Sequence, residues 1–240
     1  MPIFHYDIEQ DSPEWHRLRL GIPTSSNFAK LVTPIDRKIS TQWKTLAYQL
    51  LGERIEMKLD DQYVSYQMAR GKIDQHDAAD WYELDRDTDT QEIGFVSSDE
   101  SSEDIRGYKW ARFGCSPDRL VGADGLLEIK CPTAIVQMRY FLEGGLEREH
   151  YSQLQGQLLV CEREWVDILS WRRGGSGQMA KVIVRVERDD TFIGLLEMQL
   201  RKINEFMDGV MDKIGETNLR PITPKQELRR MLDASLGIVP

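Results

Sequence analysis

Ser116-Pro117-Asp118-Arg119-Leu120-Val121-Gly122-Ala123-Asp124-Gly125-Leu126-Leu127-Glu128-Ile129-Lys130-Cys131-Pro132 is the stretch around which the chain is organised. Leu126 to Cys131 is an apolar run too short for a helix and bounded by Gly125 and Pro132, which predicts a strand. Side chains alternate along a strand, so Glu128 and Lys130 share one face while Leu127, Ile129 and Cys131 point to the other, into the core. Arg119 to Val121 predicts an earlier strand, and the Gly-Ala-Asp-Gly turn after it folds that strand back so that Asp118 lies beside Glu128. Two carboxylates and a lysine then converge. Oxygen ligands of this kind suit a hard divalent cation that keeps several waters, and a lysine beside it can hold an attacking water. A bare Glu-X-Lys is more often a solvated strand face; Pro117-Asp118 upstream and the turn between them are what give the motif weight.

Working outward, 240 residues suit one large domain or two small ones and are enough to bury a substantial core. Hydrophobic content of 40% and charged content of 30% belong to a soluble globular protein. The sequence has neither a long apolar run nor a basic flank before an apolar stretch, so no membrane span or signal peptide is expected, and a cytoplasmic location follows. Cys115, Cys131 and Cys161 have neither the even count of a disulfide framework nor the close pairing of a zinc site, and are read as reduced core residues. A net charge of -9 argues against coating DNA through bulk positive charge, so any DNA contact has to be local.

Ser12-Pro13 predicts a short helix with Ser12 as cap and Gly21 as stop, Trp15 and Leu18 facing the core. Thr24, Ser25 and Ser26 open a second helix through Leu31, whose N-terminus can receive an anion. Arg19 and these serines read equally as a wet-face arginine with helix caps, and the residues alone leave both readings open. Thr41 to Leu59 has amphipathic spacing, and a further helix is expected from about Val64 to Leu84, interrupted by Gly71. Ile93 to Val96 and Tyr108 to Phe113 read as strands. Pro132 to Leu142 and Tyr151 to Cys161 read as helices, the second with Leu154, Leu158 and Leu159 buried and Gln153 and Gln157 on one face. Trp165 to Trp171 and Lys181 to Val186 alternate as a β-pair around Arg172-Arg173-Gly174-Gly175-Ser176-Gly177, a loop that suits either a phosphate backbone or a plain hairpin tip. Asp190 to Ile214 closes the fold as a long helix, and a tail with a possible helix at Lys225 to Leu236 follows.

Trp15-His16-Arg17-Leu18-Arg19-Leu20-Gly21, then Thr24 and Ser26, then Cys115-Ser116-Pro117-Asp118, Glu128-Ile129-Lys130-Cys131-Pro132 and Gln153-Leu154-Gln155 come in an order and spacing that resembles the phage lambda exonuclease and YqaJ-type viral recombinase family, within the PD-(D/E)XK nuclease superfamily. The resemblance spans residues 13 to 215. It implies an α/β fold with a restriction-endonuclease-like core: a central mixed β-sheet of about five strands flanked by helices, carrying the metal at one edge. Residues 1 to 215 would form a single nuclease domain, with 216 to 240 as a tail.

The activity implied is a magnesium-dependent 5′→3′ exonuclease that enters at a double-stranded DNA end, releases 5′-mononucleotides and exposes a 3′ strand for recombination. Asp118, Glu128, the carbonyl of Ile129 and residue 75 would hold up to two Mg2+ ions, with Mn2+ able to substitute and Ca2+ able to support binding without cleavage. Lys130, Asp118 and Glu128 are the implied catalytic residues, and Arg19, Ser26, Ser116 and Gln153 the implied holders of the 5′-phosphate. A ring-shaped homotrimer and a single-strand annealing protein are the implied assembly and partner, in the cytoplasm of a bacterial host and with no membrane involved. In one place the chain departs from the family pattern. Relatives carry Gly-X-X-X-Glu where this chain reads Gly71-Lys72-Ile73-Asp74-Gln75. Gln75 keeps a carbonyl oxygen but loses the charge, worth roughly 4 kcal/mol at about 4 Å and an effective dielectric of about 20 before desolvation. Asp74 and Asp77 point elsewhere around the helix, and His76 reads as a surface residue. A DNA-end-binding variant with a weakened metal site, or an endonuclease of the same superfamily, are therefore the alternative readings.

Overall fold

The protein is described by a computed structural model covering residues 1–59, 66–104, 106–174 and 177–216. The expected helix at 225 to 236, the tail and whatever approaches Gly71 lie outside the described residues. In chain order the elements are β1 (Ile3–His5), α1 (Pro13–Arg19), a 3₁₀ helix (Ser25–Lys30), α2 (Trp43–Glu56), α3 (Tyr66–Arg86), β2 (Thr90–Gln91), β3 (Phe95–Ser97), β4 (Ser101–Glu103), β5 (Lys109–Ala111) and β6 (Gly114–Cys115). There follow β7 (Arg119–Val121), β8 (Gly125–Lys130), α4 (Ala134–Glu143), α5 (Leu146–Cys161), β9 (Trp165–Trp171), a second 3₁₀ helix (Gly177–Ala180), β10 (Lys181–Glu187) and α6 (Asp190–Glu216).

A five-stranded sheet runs in the order β10, β9, β8, β7, β2. β7 and β8 pair antiparallel across the glycine turn, with Arg119 opposite Leu127, whereas β8 and β9 pair parallel, with Lys130 opposite Ser170. The mixed sheet is as expected, but the Glu128-Ile129-Lys130 strand is central in it. The acidic cluster sits at the C-terminal end of that strand rather than along a lateral edge, because the α4–α5 crossover brings β9 alongside β8.

Alternation along β8 divides the core. Leu127 and Ile129 pack with Ala78, Ala79 and Tyr82 of α3 on one face, while Leu126 packs on the other with Val166 and Ile168 and with the apolar stripes of α5 and α6. Helix α3 is pinned to the sheet: Tyr82 Oη donates to Asp167 Oδ2 at 2.8 Å, and Arg185 grips the same carboxylate at 2.8 and 2.9 Å.

Several local expectations change. Tyr108 to Phe113 is not one strand; β5 pairs with β4, while β6 joins β3, so the chain switches sheets between them. The segment after Thr24 is a six-residue 3₁₀ helix, not an α-helix. Helix α5 begins five residues before Tyr151, at Leu146, after Gly144 and Gly145 turn the chain at positive φ. Leu159 is only half-buried, whereas Trp15 and Leu18, also half-buried, face the core as expected and pack against Leu20, Ile22, Phe95 and Trp110. Cys115 and Cys161 are free thiols in the core with their sulfurs 3.5 Å apart, but Cys131 is only half-buried.

Candidate active site

Asp118 ends the loop into β7, and its Oδ2 accepts the backbone N–H of Ile129 at 2.5 Å. That hydrogen bond ties the first carboxylate to the strand bearing the second. Glu128 is buried at 4% exposure and is held from three sides. Lys130 Nζ donates to its Oε1 at 2.6 Å, Gln153 Nε2 donates to the same oxygen at 2.7 Å, and Gln157 Nε2 donates to Oε2 at 2.6 Å. Lys130 Nζ also reaches Gln153 Oε1 at 3.2 Å. Gln75, from α3 on the opposite face of the sheet, donates its amide to Asp118 Oδ1. Arg173 fixes that part of α3 by pairing with Asp74 at 2.9 Å and with Asp77. The hairpin loop arginines are thus engaged within the protein, Arg172 donating to the carbonyl of Pro132 at 3.2 Å.

The electrostatics follow from burial. Asp118 is pushed from 3.8 up to about 8, first by desolvation and then by the nearby Glu128 charge. Burial alone would lower Lys130, but the Glu128 carboxylate and its hydrogen bond outweigh that, and the ammonium is held above its ordinary value. His150, one turn before Gln153 on α5, is pushed down to about 4 by burial and by the charge of Lys130, so it is neutral at pH 7.

No group of three or more His, Cys, Asp or Glu residues is arranged to hold a metal among the described residues. Asp118 and Glu128 nevertheless form a pair of buried carboxylates that repel one another, and an all-oxygen donor set of this kind fits a hard divalent cation. Gln75 touches Asp118, so turning its amide over would offer a neutral oxygen to the same place.

A second group of residues lies across the Trp15 ring. The indole N–H of Trp15 donates to Ser116 Oγ at 2.9 Å and to the carbonyl of Gly94 at 3.0 Å. Arg19 stacks over the same ring at 4.1 Å and reaches Ser116 Oγ at 3.4 Å. Arg19 and Ser26 line one concavity together with Trp15, and Asp118 and Gln75 line another. Burial lowers Arg19 to about 10, which still leaves it charged at neutral pH.

The end of α1 is set by Gly21 at φ +64°, whose N–H donates to Glu53 Oε2 at 2.9 Å and whose carbonyl accepts from Arg54 Nε at 2.7 Å. A side chain at Gly21 would strike Arg54. At the start of the 3₁₀ helix Thr24 N–H donates to Asn27 Oδ1 at 3.1 Å, and the Ser26 hydroxyl lies 3.1 Å from that of Thr24.

Three of the four residues expected at a 5′-phosphate therefore gather: Arg19 and Ser116 in contact, Ser26 in the same concavity as Arg19. Gln153 instead lies on Lys130 and Glu128. Helix α5 rests on the 3₁₀ helix at Gly156, where an added Cβ would meet Phe28 at 2.4 Å, and this close approach directs residues 153 and 157 over β8. The sequence left Gln157 and His150 without a role, and it read Trp15 as core, which holds, without its bond to Ser116. The i, i+3, i+7 stripe of His150, Gln153 and Gln157 on one helix was the available signal.

The profile of the YqaJ-like viral recombinase domain matches residues 14–164. Among solved structures, an alkaline exonuclease, LHK-Exo, from Laribacter hongkongensis is 25% identical with a TM-score of 0.73, covering 86% of this chain and 97% of that one. Its complex with dAMP matches with a TM-score of 0.72 at the same identity and coverage. A phage-related exonuclease from Haemophilus somnus 129PT shares the fold, with a TM-score of 0.61 at 11% identity over 80% of this chain and 96% of that one. No curated protein matches the sequence significantly.

Proposed function

Because this chain belongs to the YqaJ-like viral recombinase domain family, we propose that it is a magnesium-dependent exonuclease that enters at a double-stranded DNA end and digests the 5′-terminated strand, releasing 5′-mononucleotides. The observation that carries this reading is the continuity of Ser116-Pro117-Asp118: Ser116 touches Arg19, and Asp118, two residues on, is bonded to the strand bearing Glu128 and Lys130. A cation-lined pocket and a carboxylate cluster joined by one dipeptide step suit a phosphate end and a phosphodiester to be cut. The exonuclease relatives support the same class of reaction.

Asp118, Glu128, the Ile129 carbonyl and Gln75 would hold up to two Mg2+ ions, which would supply an acidified water and a counter-charge for the departing 3′-oxygen. Mn2+ would substitute, and Ca2+ would support binding alone. Lys130 keeps its proton at neutral pH, so it serves as a fixed positive donor that orients the attacking oxygen and offsets charge on the phosphate. Arg19, Ser26 and Ser116 would hold the 5′-phosphate, and Gln153 would connect that pocket to Lys130. The family also carries a ring-shaped trimer and a single-strand annealing partner into this proposal, with the exposed 3′ strand passed on for recombination.

A second reading, a DNA-end-binding protein with a weakened cation site, is favoured by one observation: residue 75 gives Asp118 an amide instead of a third carboxylate. The two separate on a linear duplex labelled at both ends in Mg2+. Release of 5′-labelled mononucleotides ahead of any 3′ label supports the exonuclease. Tight end binding with no product supports the second reading, and internal fragments would sink both.

A further inference from the structure

Gln153 and Gln157 form an i, i+4 pair on α5, yet the proposed function uses only the first. Gln157 is completely buried, at 0% exposure, between Leu154 and Leu158. Its Nε2 donates to Glu128 Oε2 at 2.6 Å, while its own Oε1 has no hydrogen-bond partner among the described residues. An unpaired carbonyl oxygen in the core costs free energy, so an apolar side chain of similar length would serve packing better. The residue is explained instead by what its amide does to Glu128.

We infer that Gln157 is a positioning residue that sets the orientation in which Glu128 meets a divalent cation. Each carboxylate oxygen has two lone-pair directions. At Oε1 both are taken, by Lys130 at 2.6 Å and Gln153 at 2.7 Å. At Oε2 Gln157 takes one, leaving a single direction for a cation. The carboxylate cannot turn about its last bond without breaking a charge-assisted hydrogen bond to a buried group. Glu128 is thereby a one-oxygen ligand of fixed aim. With a neutral amide at position 75, this chain relies more heavily on the aim of its two remaining carboxylates. The inference rests on the proposed cation-dependent function and deepens it.

The test is a calorimetric titration of Mn2+ alone into the full chain and into Gln157→Met, which keeps the length of the side chain and removes the amide. The expected result is Mn2+ binding weaker by about tenfold in the variant. The thermal midpoint in EDTA should be unchanged or higher, and kcat should fall with little change in KM for a 5′-phosphorylated duplex. A merely structural amide would move the melting point and leave Mn2+ affinity alone. If Gln157→Met does not fold, Gln157→Asn keeps an amide in the core but withdraws it by one methylene, and the same weakening is expected. A folded variant with the parent's Mn2+ affinity overturns the inference while leaving the proposed function standing. A parent chain that takes up no Mn2+ overturns both.

Discussion

The carboxylate cluster and the Arg19 pocket, which Trp15 lines, are built by different means. Asp118, Glu128 and Lys130 sit on or beside one β-strand, in positions dictated by strand alternation and one turn. Arg19, Ser26 and Ser116 come from a helix end, a 3₁₀ helix and a loop, and an indole N–H and a glycine at positive φ hold them together. The first region carries buried negative charge with a single ammonium, and the second a guanidinium on an aromatic face. Under the proposed function, this division makes cutting and end-holding separable, linked through the Ser116-Pro117-Asp118 backbone and Gln153.

The strongest way to break that separation is Lys130→Ala. Cleavage should fall by about 1,000-fold or more, because a half-buried donor that the proposal aims at developing charge is lost. Duplex-end affinity in Ca2+ should hold. Normal cleavage by the folded variant would remove Lys130 from the reaction.

Gln75→Glu should sharpen the contrast from the other direction. A third carboxylate beside Asp118 should raise Mg2+-dependent cleavage by about tenfold to a hundredfold and lower the Mg2+ midpoint, again with little effect on end binding. Equal midpoints in the two proteins would mean that residue 75 takes no part in holding a cation, despite its contact with Asp118.

Arg19→Ala addresses the second region. Its preference for a 5′-phosphate over a 5′-hydroxyl end should shrink by about 1.5 to 3 kcal/mol, the usual worth of a hydrogen bond to a charged group. Undiminished discrimination would take Arg19 out of the pocket.

The last prediction concerns pH and reads stability instead of cleavage. Asp118 is held at about 8 in the folded protein against 3.8 ordinarily. Between those values the unfolded chain has lost a proton that the folded chain keeps, so stability without divalent cations should fall as pH rises through that window. Thermal melts in EDTA should show the decline in the parent and a flatter profile in Asp118→Asn; parallel profiles would contradict the cause assigned to the shift.

Legibility followed the same divide. The β8 face, the β7 turn and the β9–β10 pair were readable because a period of two and a glycine turn are local properties. The central placement of β8 was not, since the order of strands depends on how the α4–α5 crossover lies on the sheet. Around Arg19, local signals misled. Three hydroxyl residues before an apolar run looked like an α-helix start, but Asn27 caps Thr24 instead and the turn closes as 3₁₀. Trp15 does face the core, but nothing local tells that its indole also pairs with a serine about a hundred positions away. Gln153 was assigned through its family position, and its bonds to Lys130 and Glu128 depend on how Gly156 seats α5 against Phe28.

The most direct test of the account compares linear and covalently closed circular duplexes of one sequence, incubated with the parent chain and Gln75→Glu in Mg2+. The account predicts that linear DNA is degraded to mononucleotides from its 5′-phosphorylated ends, faster in the variant, while the circle stays intact. Nicking of the circle at the rate of linear loss would contradict it, because a cluster that cuts without an end has no use for the Arg19 pocket.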